Sequence, residues 1–246
     1  MPGLRGLAVR QVIVLGIVGT PAGGKSTVAS LLQQWGAEWI NADLIARECL
    51  GRPEVVQQLR ERFGPQVLSE DQTVNRKAIA NLVFGDQPEQ HAARRFLESL
   101  VHPRTRLEIM RRIESAADCR KRAALLDVPL LFESGWDLAC DAIWCVDATR
   151  ENRLTRARDR GWDSLELDRR ESNQLAIETK SRLSNLVMRN DSTLKALAEI
   201  VEREWDLLGR INPIESKELR GTSGRPTGAH SSDPASDRHC KSDYPD

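Results

Sequence analysis

The stretch from Val12 to Thr27 limits what this chain can fold into more than any other part of the sequence. An apolar run rich in β-branched residues ends in a glycine-rich turn, and a lysine and two hydroxyl residues follow. Gly19, Gly24, Lys25 and Ser26 satisfy each fixed position of the phosphate-loop pattern G-x-x-x-x-G-K-[ST]. The backbone N–H groups of such a turn can hold phosphate oxygens at a helix N-terminus. The stretch therefore predicts a strand, a phosphate-binding loop and a helix, and with them a nucleoside triphosphate site.

The candidate nucleotide contacts lie in this turn and at the start of the helix: Ala22, Gly23, Gly24, Lys25, Ser26 and Thr27. We expect Lys25 to neutralise the β- and γ-phosphates and Ser26 to hold Mg²⁺. Pro21 lacks a backbone N–H, but it precedes the N–H groups expected at the β-phosphate, so binding should tolerate it. An ordinary glycine-rich turn is the alternative, and it requires the fixed residues to match by chance.

The composition indicates a globular protein without a global preference for an anionic partner. Lys plus Arg and Asp plus Glu are 36 each, so the formal net charge is zero, and 40% of the residues are hydrophobic. We therefore expect neither nucleic acid nor a membrane as a partner. A signal peptide or membrane span is not evident in the sequence, so we expect a cytoplasmic protein. The 5 cysteines are odd in number and lack C-x-x-C spacing, which argues against a disulfide framework or a zinc site.

Apolar runs alternating with helical periodicity indicate an α/β fold. Residues 12–18 show no alternation of polar and apolar residues, as in a parallel strand covered on both faces. A helix over 25–35 and a strand over 38–41 complete a right-handed βαβ unit. The later predicted elements are strands over 123–127, 142–147 and 186–188 and a helix over 194–208. The predicted fold class is a phosphate-loop three-layer α/β/α protein with a mostly parallel sheet.

Two helical regions are expected besides the βαβ unit. Residues 43–62 and 75–115 have helical patterns, and in the second we expect breaks at Gly85–Pro88 and at His102–Pro103. We interpret about residues 65–120 as a helical substrate-binding insertion and about 150–183 as a helical lid.

The domain is expected to span residues 12–208. An N-terminal extension over 1–11 precedes it, and a tail over 209–246 follows it. The tail has few large apolar residues, so it cannot bury enough surface to offset its ordering entropy, and we expect it to be disordered.

Two carboxylates follow predicted strands. Asp43 comes just after the strand over 38–41, and Asp127 ends the strand over 123–127. Because parallel strands share one carboxyl edge, we expect both at the edge that carries the phosphate loop. Asp43 suits a general base, and Asp127 suits a Mg²⁺ ligand. The alternatives are a helix N-cap at Asp43 and a solvent-facing or turn-capping carboxylate at Asp127.

Further motifs occur along the chain in a fixed order. Residues 41–47 read N-A-D-L-I-A-R, residues 101–103 read V-H-P, and residues 128–133 read V-P-L-L-F-E. Polar motif residues follow towards the C-terminus: Arg156, Arg160, Arg170, Gln174, Lys180 and Asn190. Together with the phosphate loop, this set resembles the dephospho-CoA kinase family over about residues 12–208.

The resemblance implies an enzyme that transfers the γ-phosphate of ATP to the 3′-hydroxyl of dephospho-CoA, with Mg²⁺, in the last step of coenzyme A biosynthesis. It implies that Asp43 is the general base and that Lys25, Arg156 and Arg160 are the other catalytic residues. Ser26 and Asp127 would hold the metal, and Asn190 would contact the adenine or its loop. The implied acceptor contacts are Arg47, His102, Pro129 and Glu133.

The chain departs from the family pattern at Asn41, where the motif has an aspartate. If that carboxylate orders metal-bound water, this chain has one charge fewer near Mg²⁺. The expected partners are the two small-molecule substrates, and we expect a monomer or a weak homo-oligomer.

Residues 150–170 hold seven arginines, which a solvated helix face would explain for most of them. Arg156 and Arg160 are four apart, so we expect them to share a helix face. Arginine on a lid suits phosphoryl transfer because its planar fork stabilises charge spread over phosphate oxygens.

Three other functions remain open at this stage. A GTPase would need an N-K-x-D motif, and here no asparagine precedes a lysine, while the one D-x-x-G match, Asp206–Gly209, lies in a predicted helix. A non-catalytic nucleotide-binding protein is slightly favoured by Asn41 and the long tail. A kinase of the same architecture could act on a nucleoside, a sugar or shikimate.

Overall fold

The computed structural model describes residues 12–210, so the predicted N-terminal extension and residues 211–246 of the predicted tail lie outside the described residues. The described chain divides into two units. One unit contains residues 12–40 and 112–210, and the other contains residues 41–111.

Five parallel strands form one sheet within residues 12–210, in the order β2-β3-β1-β4-β5. The strands are β1 (Ile13–Gly19), β2 (Glu38–Asn41), β3 (Ala123–Asp127), β4 (Ala142–Asp147) and β5 (Leu186–Arg189). The strands predicted from the sequence are confirmed to within a residue at each end. Since β1 is central and its residues are all buried, its unbroken apolar run is explained by cover on both faces.

One face of the sheet packs against α1 (Lys25–Gln34) and α9 (Leu194–Leu208). Leu15 and Ile17 of β1 and Val28 and Leu32 of α1 are fully buried in this core cluster. Trp205 of α9 closes the cluster with only 3% of its surface exposed. The amphipathic patterns predicted for both helices therefore face the sheet.

On the other face of the sheet, the chain packs so closely on β1 that one of its positions must be a glycine. A Cβ atom at Gly16 would lie 2.9 Å from Sγ of Cys140 and 3.1 Å from Cδ1 of Leu131. The segment after β3 therefore approaches the backbone of β1 directly. Helix α8 (Ile177–Leu183) also contacts β1 and β4.

Just before β4 and just before β5, a polar residue bonds to the backbone of the neighbouring strand through both its side chain and its own N–H. Asp141 donates its backbone N–H to Val14 O at 2.7 Å and accepts from Val14 N through Oδ2 at 2.8 Å. Asn185 repeats this arrangement with Ile143, at 2.8 Å for both bonds. Each side chain satisfies the backbone donor that a parallel pair leaves open at its start.

The remaining α-helices lie in two stretches of the chain, and a 3₁₀ turn at Trp136–Ala139 lies between β3 and β4. Between β2 and β3 they are α2 (Ala42–Leu50), α3 (Pro53–Phe63), α4 (Arg76–Val83) and α5 (Pro88–Asp118), with a single 3₁₀ turn at Pro65–Val67. Between β4 and β5 they are α6 (Arg150–Arg158), α7 (Ser164–Ser172) and α8. Among residues 12–210, none of the helices has the length and apolar character that crossing a membrane requires.

The break expected at His102–Pro103 is wrong, because α5 runs through Pro103. Proline removes one N–H donor from a helix and disturbs the turn before it. The guanidinium of Arg104 donates to Leu100 O at 2.7 Å in the turn before Pro103. The break expected between Gly85 and Pro88 is confirmed by the interval between α4 and α5.

Candidate active site

The phosphate loop leaves β1 at Gly19 and enters α1 at Lys25. Gly19 and Gly24 have φ angles of 150° and 106°. A Cβ atom at Gly19 would lie 1.9 Å from Val146 O, and one at Gly24 would lie 2.1 Å from Nδ2 of Asn190. Both glycines of the motif are therefore required by close neighbours as well as by their backbone conformation.

Ala22, within this loop, has a left-handed φ of 57°, which costs a residue with a Cβ about 1 kcal/mol. Its methyl group is buried against Ala157 of α6 and Leu167 of α7, and Leu154 and Trp162 pack at the margin of this apolar cluster. The side chain of Ala22 thus joins the loop to the helices after β4, which leaves its backbone for the predicted nucleotide contact.

The first turn of α1 carries the residues predicted to meet phosphate. Its N-cap is Gly24, which has no side chain to cap the turn, so the positive end of the helix is suited to an anion. The Nζ atom of Lys25 lies 3.5 Å from Thr20 O, on the other side of the loop. Ser26 is exposed and Thr27 is half-buried. A hydroxyl and an ammonium group therefore lie beside the backbone cradle.

Asp127 ends β3, and Trp39 of β2 donates to its Oδ2 through Nε1 at 3.3 Å. Burial raises the pKa of this carboxyl, while the positive charge of Lys25 and the hydrogen bond from Trp39 lower it. Asp127 is half-buried and its carboxylate accepts from Trp39, which counts against the solvent-facing alternative from the sequence. Trp39 was not predicted as a site residue, because its only signal in the sequence is an aromatic residue in a four-residue strand.

A buried carboxylate behind the loop was also missed by the sequence analysis. Asp147 at the end of β4 accepts from Oγ1 of Thr20 at 3.0 Å and from Nη1 of Arg189 at 2.5 Å. Thr20 and Asp147 are 6% and 5% exposed. The first residue of the loop is therefore fixed to β4 by its side chain.

The carbonyl group of Gly23 receives two donors from later parts of the chain. Asn190 donates from Nδ2 at 2.9 Å, and Arg156 donates from Nη1 at 3.4 Å. Arg156 also donates from Nη2 to Asn190 O at 2.7 Å, and the backbone N–H of Asn190 donates to Asp147 O at 2.7 Å. The predicted catalytic residue Arg156 and the predicted adenine contact Asn190 therefore both bind the phosphate loop itself.

Arg160 lies in the turn after α6, so Arg156 and Arg160 are not both within one helix as predicted. Helix α6 ends at Arg158, and Gly161 with φ of 75° closes it. The N–H groups of Gly161 and Trp162 bond back to Arg158 O and Ala157 O, which is a Schellman ending. Arg160 lies in this closing turn, is exposed, and has its Cζ 5.6 Å from the ring centroid of Trp162.

Most arginines of this region have structural partners, as the sequence analysis expected. Arg150 pairs with Asp168 at 2.7 Å, and Arg153 pairs with Glu171, so α6 is joined to α7 by ion pairs. Arg169 and Arg170 both pair with Glu166 within α7, at 2.7 Å each, and the Cζ atom of Arg170 lies 4.0 Å from the ring centroid of Trp162.

A buried cation lies behind the start of the loop. Lys180 of α8 is 3% exposed and donates from Nζ to Gly19 O at 3.1 Å and to Oε1 of Gln174 at 2.5 Å. Next to Gln174, the N–H of Leu175 donates to Oε1 of Glu133 at 2.8 Å. The predicted acceptor contact Glu133 is therefore bonded to the connection between α7 and α8, and Pro129 is exposed in the same segment after β3.

The unit of residues 41–111 carries the other predicted residues. Asn41 is the N-cap of α2, and its side chain accepts from Leu44 N at 3.0 Å. The N-cap alternative for Asp43 is therefore wrong: Asp43 lies exposed in the first turn of α2. Arg47 is half-buried in the last turn of α2, and His102 is exposed on α5.

Comparison with known proteins identifies relatives of this chain. The dephospho-CoA kinase family model matches residues 13–196. A dephospho-CoA kinase of Rhodopirellula baltica is 38% identical over 191 residues, covering 78% of this chain and 88% of the relative. One of Deinococcus radiodurans is 40% identical over 185 residues, covering 74% and 86%.

Solved structures show the same fold. A crystal structure of a Thermus thermophilus protein matches with a TM-score of 0.66 and 30% identity, covering 80% of this chain and 98% of that one. A dephospho-CoA kinase from Campylobacter jejuni matches with a TM-score of 0.59 and 20% identity over the same shares, which supports the fold alone.

Proposed function

Since the chain belongs to the dephospho-CoA kinase family, we propose how its own residues divide the work of phosphorylating dephospho-CoA with ATP. The activity follows from the family: the γ-phosphate of ATP is transferred to the 3′-hydroxyl of dephospho-CoA, and the products are coenzyme A and ADP. The match over residues 13–196 is the observation that carries this function. The division of roles among residues is our proposal.

The donor nucleotide is bound by the phosphate loop and the first turn of α1. Backbone N–H groups from Ala22 to Thr27 hold the phosphate oxygens, and the ammonium of Lys25 neutralises the β- and γ-phosphates. The glycine N-cap of α1 supports this role because no side chain competes for the helix start. Arg156 supports the loop from behind through Gly23 O.

Mg²⁺ is the proposed cofactor, and the residues at the loop fit it. Mg²⁺ prefers oxygen ligands and takes only one or two from the protein beside substrate phosphates and water. The hydroxyl of Ser26 and the carboxylate of Asp127 would hold it, and Trp39 orients that carboxylate. When bound, the ion neutralises charge that develops on the transferring phosphoryl group.

Asp43 is the proposed general base. Its carboxylate accepts the proton of the 3′-hydroxyl as that oxygen bonds to the γ-phosphorus and the bond to the β–γ bridging oxygen breaks. Its exposure and the motif of residues 41–47 support this role. Asn41 replaces the family's aspartate but still caps α2, which amide and carboxylate side chains do about equally well.

Arg160 is the proposed charge-stabilising residue of the lid. Its guanidinium is exposed beside Trp162, whereas that of Arg156 is bonded to Gly23 O and Asn190 O. Arg160 is therefore the better candidate for a group that reaches the transferring phosphate. Arg47, His102, Pro129 and Glu133 remain the proposed acceptor contacts. We further propose a cytoplasmic protein that is a monomer or a weak homo-oligomer, with the two substrates as its partners.

An acceptor screen tests this function. Purified protein is incubated with Mg·ATP and, in separate reactions, dephospho-CoA, adenosine, glucose or shikimate, and ADP release and product mass are measured. We expect coenzyme A and rapid ADP release with dephospho-CoA alone. Phosphorylation of another acceptor without coenzyme A formation would contradict the assignment. If no ADP is released with any of the acceptors, a non-catalytic nucleotide-binding protein would be favoured.

A further inference from the structure

Lys180 is a buried cation that the proposed mechanism does not use. It lies in α8, and its side chain extends to the start of the phosphate loop, where Nζ donates to Gly19 O at 3.1 Å. Lys25 Nζ lies 3.5 Å from the next carbonyl oxygen, that of Thr20. Two ammonium groups from different helices therefore bind consecutive carbonyl groups at the beginning of the loop.

The positive charge of Lys25 disfavours the charged form of Lys180, and an anion bound in the loop would offset that repulsion. Both hydrogen-bond partners of Lys180, Gly19 O and Oε1 of Gln174, are neutral oxygens. Burial and the charge of Lys25 lower the pKa of Lys180 to about 8, while Glu133 and Cys145 act in the opposite direction. The charged form of Lys180 is therefore stabilised when a negatively charged ligand binds in the loop.

We propose that Lys180 is a positioning residue for the donor nucleotide, which fixes the phosphate loop through Gly19 O and adds a second positive charge behind the polyphosphate. The inference deepens the proposed function, because it rests on a polyphosphate bound in the loop. It does not depend on which acceptor is phosphorylated.

The same lysine connects the loop to the segment after β3. Gln174 accepts from Lys180, Leu175 donates to Glu133, and Glu133 belongs to the V-P-L-L-F-E motif. The three bonds form one path from Gly19 through the connection between α7 and α8 to this motif. Loss of Lys180 therefore removes both a charge and the only bond of this path that reaches the loop.

The first test measures how affinity depends on phosphate. Isothermal titration gives Kd for ADP and for adenosine with the wild type, Lys180→Met, Lys180→Gln and the control Lys195→Met, which replaces an exposed lysine of α9. We expect Lys180→Met to weaken ADP binding by about 10-fold and adenosine binding by less than about 2-fold, on the scale of one lost charge-assisted hydrogen bond. Lys180→Gln, which keeps a donor without a charge, should fall between.

Equal losses for ADP and adenosine would mean general damage to the site and would overturn the proposal. So would an ADP affinity within about 2-fold of the wild type. Lys195→Met should match the wild type for both ligands.

The second test uses the wild-type protein, so it does not depend on a variant that folds. The groups that act on Lys180 are Lys25 from α1, Glu133 from the segment after β3 and the thiol of Cys145 from β4. Because bound phosphate favours the charged lysine, Kd for ADP should rise by about 10-fold between about pH 7 and pH 9 as free Lys180 loses its proton. A flat profile, or the same slope in Lys180→Met, would overturn the proposal.

These outcomes are separate from the test of the proposed function. Phosphorylation of an acceptor other than dephospho-CoA would contradict the function and leave the ADP measurements valid. Normal coenzyme A formation together with unchanged ADP binding in Lys180→Met would overturn this inference alone.

Discussion

The side-chain amide of Asn190 donates to the carbonyl oxygen of Gly23 at 2.9 Å, and it occupies the space that a side chain at position 24 would need. Asn190 follows β5 directly, and its backbone N–H bonds to Asp147 O, so its position is set by the sheet. The sheet edge therefore restrains the phosphate loop, and a loop restrained in this way loses less entropy when it binds a nucleotide.

Asn190→Ala should weaken nucleotide binding through the loop. Removing the amide leaves Gly23 O with the longer bond from Arg156, so we expect Kd for ADP to rise about 5- to 10-fold, as loss of one buried hydrogen bond implies. Titration calorimetry against Asn81→Ala, an exposed position of α4, provides the measurement and its control. An equally large loss of adenosine affinity would instead support the adenine contact expected from the sequence.

Substitution of Arg160 should change kcat, whereas substitution of Arg156 should change KM for ATP and Tm. Arg160→Ala should lower kcat by about 100- to 1,000-fold with little change in Tm, because its guanidinium is exposed. Arg156→Ala should raise KM for ATP and lower Tm, because it removes bonds to Gly23 and Asn190.

Steady-state kinetics and thermal unfolding of both variants are compared with Arg158→Ala, an exposed arginine of the same helix. Identical behaviour of the two variants would contradict this separation of roles.

Asp43→Asn should lower kcat by about 100-fold or more with little change in ADP affinity, which is the usual scale for loss of a general base. The substitution keeps the size of the side chain and leaves the cap at Asn41 intact. Glu89→Gln, which removes an exposed charge from the first turn of α5, is the matched control for charge alone. Turnover near the wild-type rate would remove Asp43 from the base role.

The sheet was predictable because its strands leave strong local signals. Unbroken apolar runs bounded by glycine, proline or charged residues indicate buried parallel strands, and β2, β3 and β4 have the predicted bounds. The break expected at Pro103 is wrong because one proline removes only one N–H donor, and α5 continues through it.

The site residues could be predicted only where they are neighbours in the sequence. The loop from Gly19 to Thr27 is such a case, since its glycines encode their own backbone conformation. The bond from Trp39 to Asp127 and the bond from Lys180 to Gly19 join residues far apart in the chain, and the sheet order decides which of them meet. Arg160 also shows that a spacing of four residues is no guide once a glycine ends the helix.

Asp141→Ala should destabilise the fold without changing nucleotide binding. Its carboxylate accepts from the buried N–H of Val14, and an unsatisfied buried donor costs about 1 to 3 kcal/mol. Urea unfolding should show this loss relative to Asp118→Ala, an exposed aspartate at the end of α5. Equal free energies of unfolding for the two variants would mean that β4 does not need this bond.

Trp39→Phe should raise the Mg²⁺ concentration needed for half-maximal activity by about 10-fold, the usual effect of losing a group that orients a metal ligand. Phenylalanine keeps an apolar ring in β2 but cannot donate to Oδ2 of Asp127, so the carboxylate loses its orientation. Initial rates are measured across Mg²⁺ concentrations at fixed, saturating ATP and dephospho-CoA.

Trp35→Phe is the matched control for that measurement, because Trp35 packs against the same core cluster as Trp39. Its Mg²⁺ dependence should equal that of the wild type. If both variants shift alike, the effect comes from packing around the core, and if neither shifts, Asp127 needs no help from Trp39 to act on the metal. A shift confined to Trp39→Phe, with Kd for metal-free ADP unchanged, would link the indole to the metal and not to the phosphate cradle.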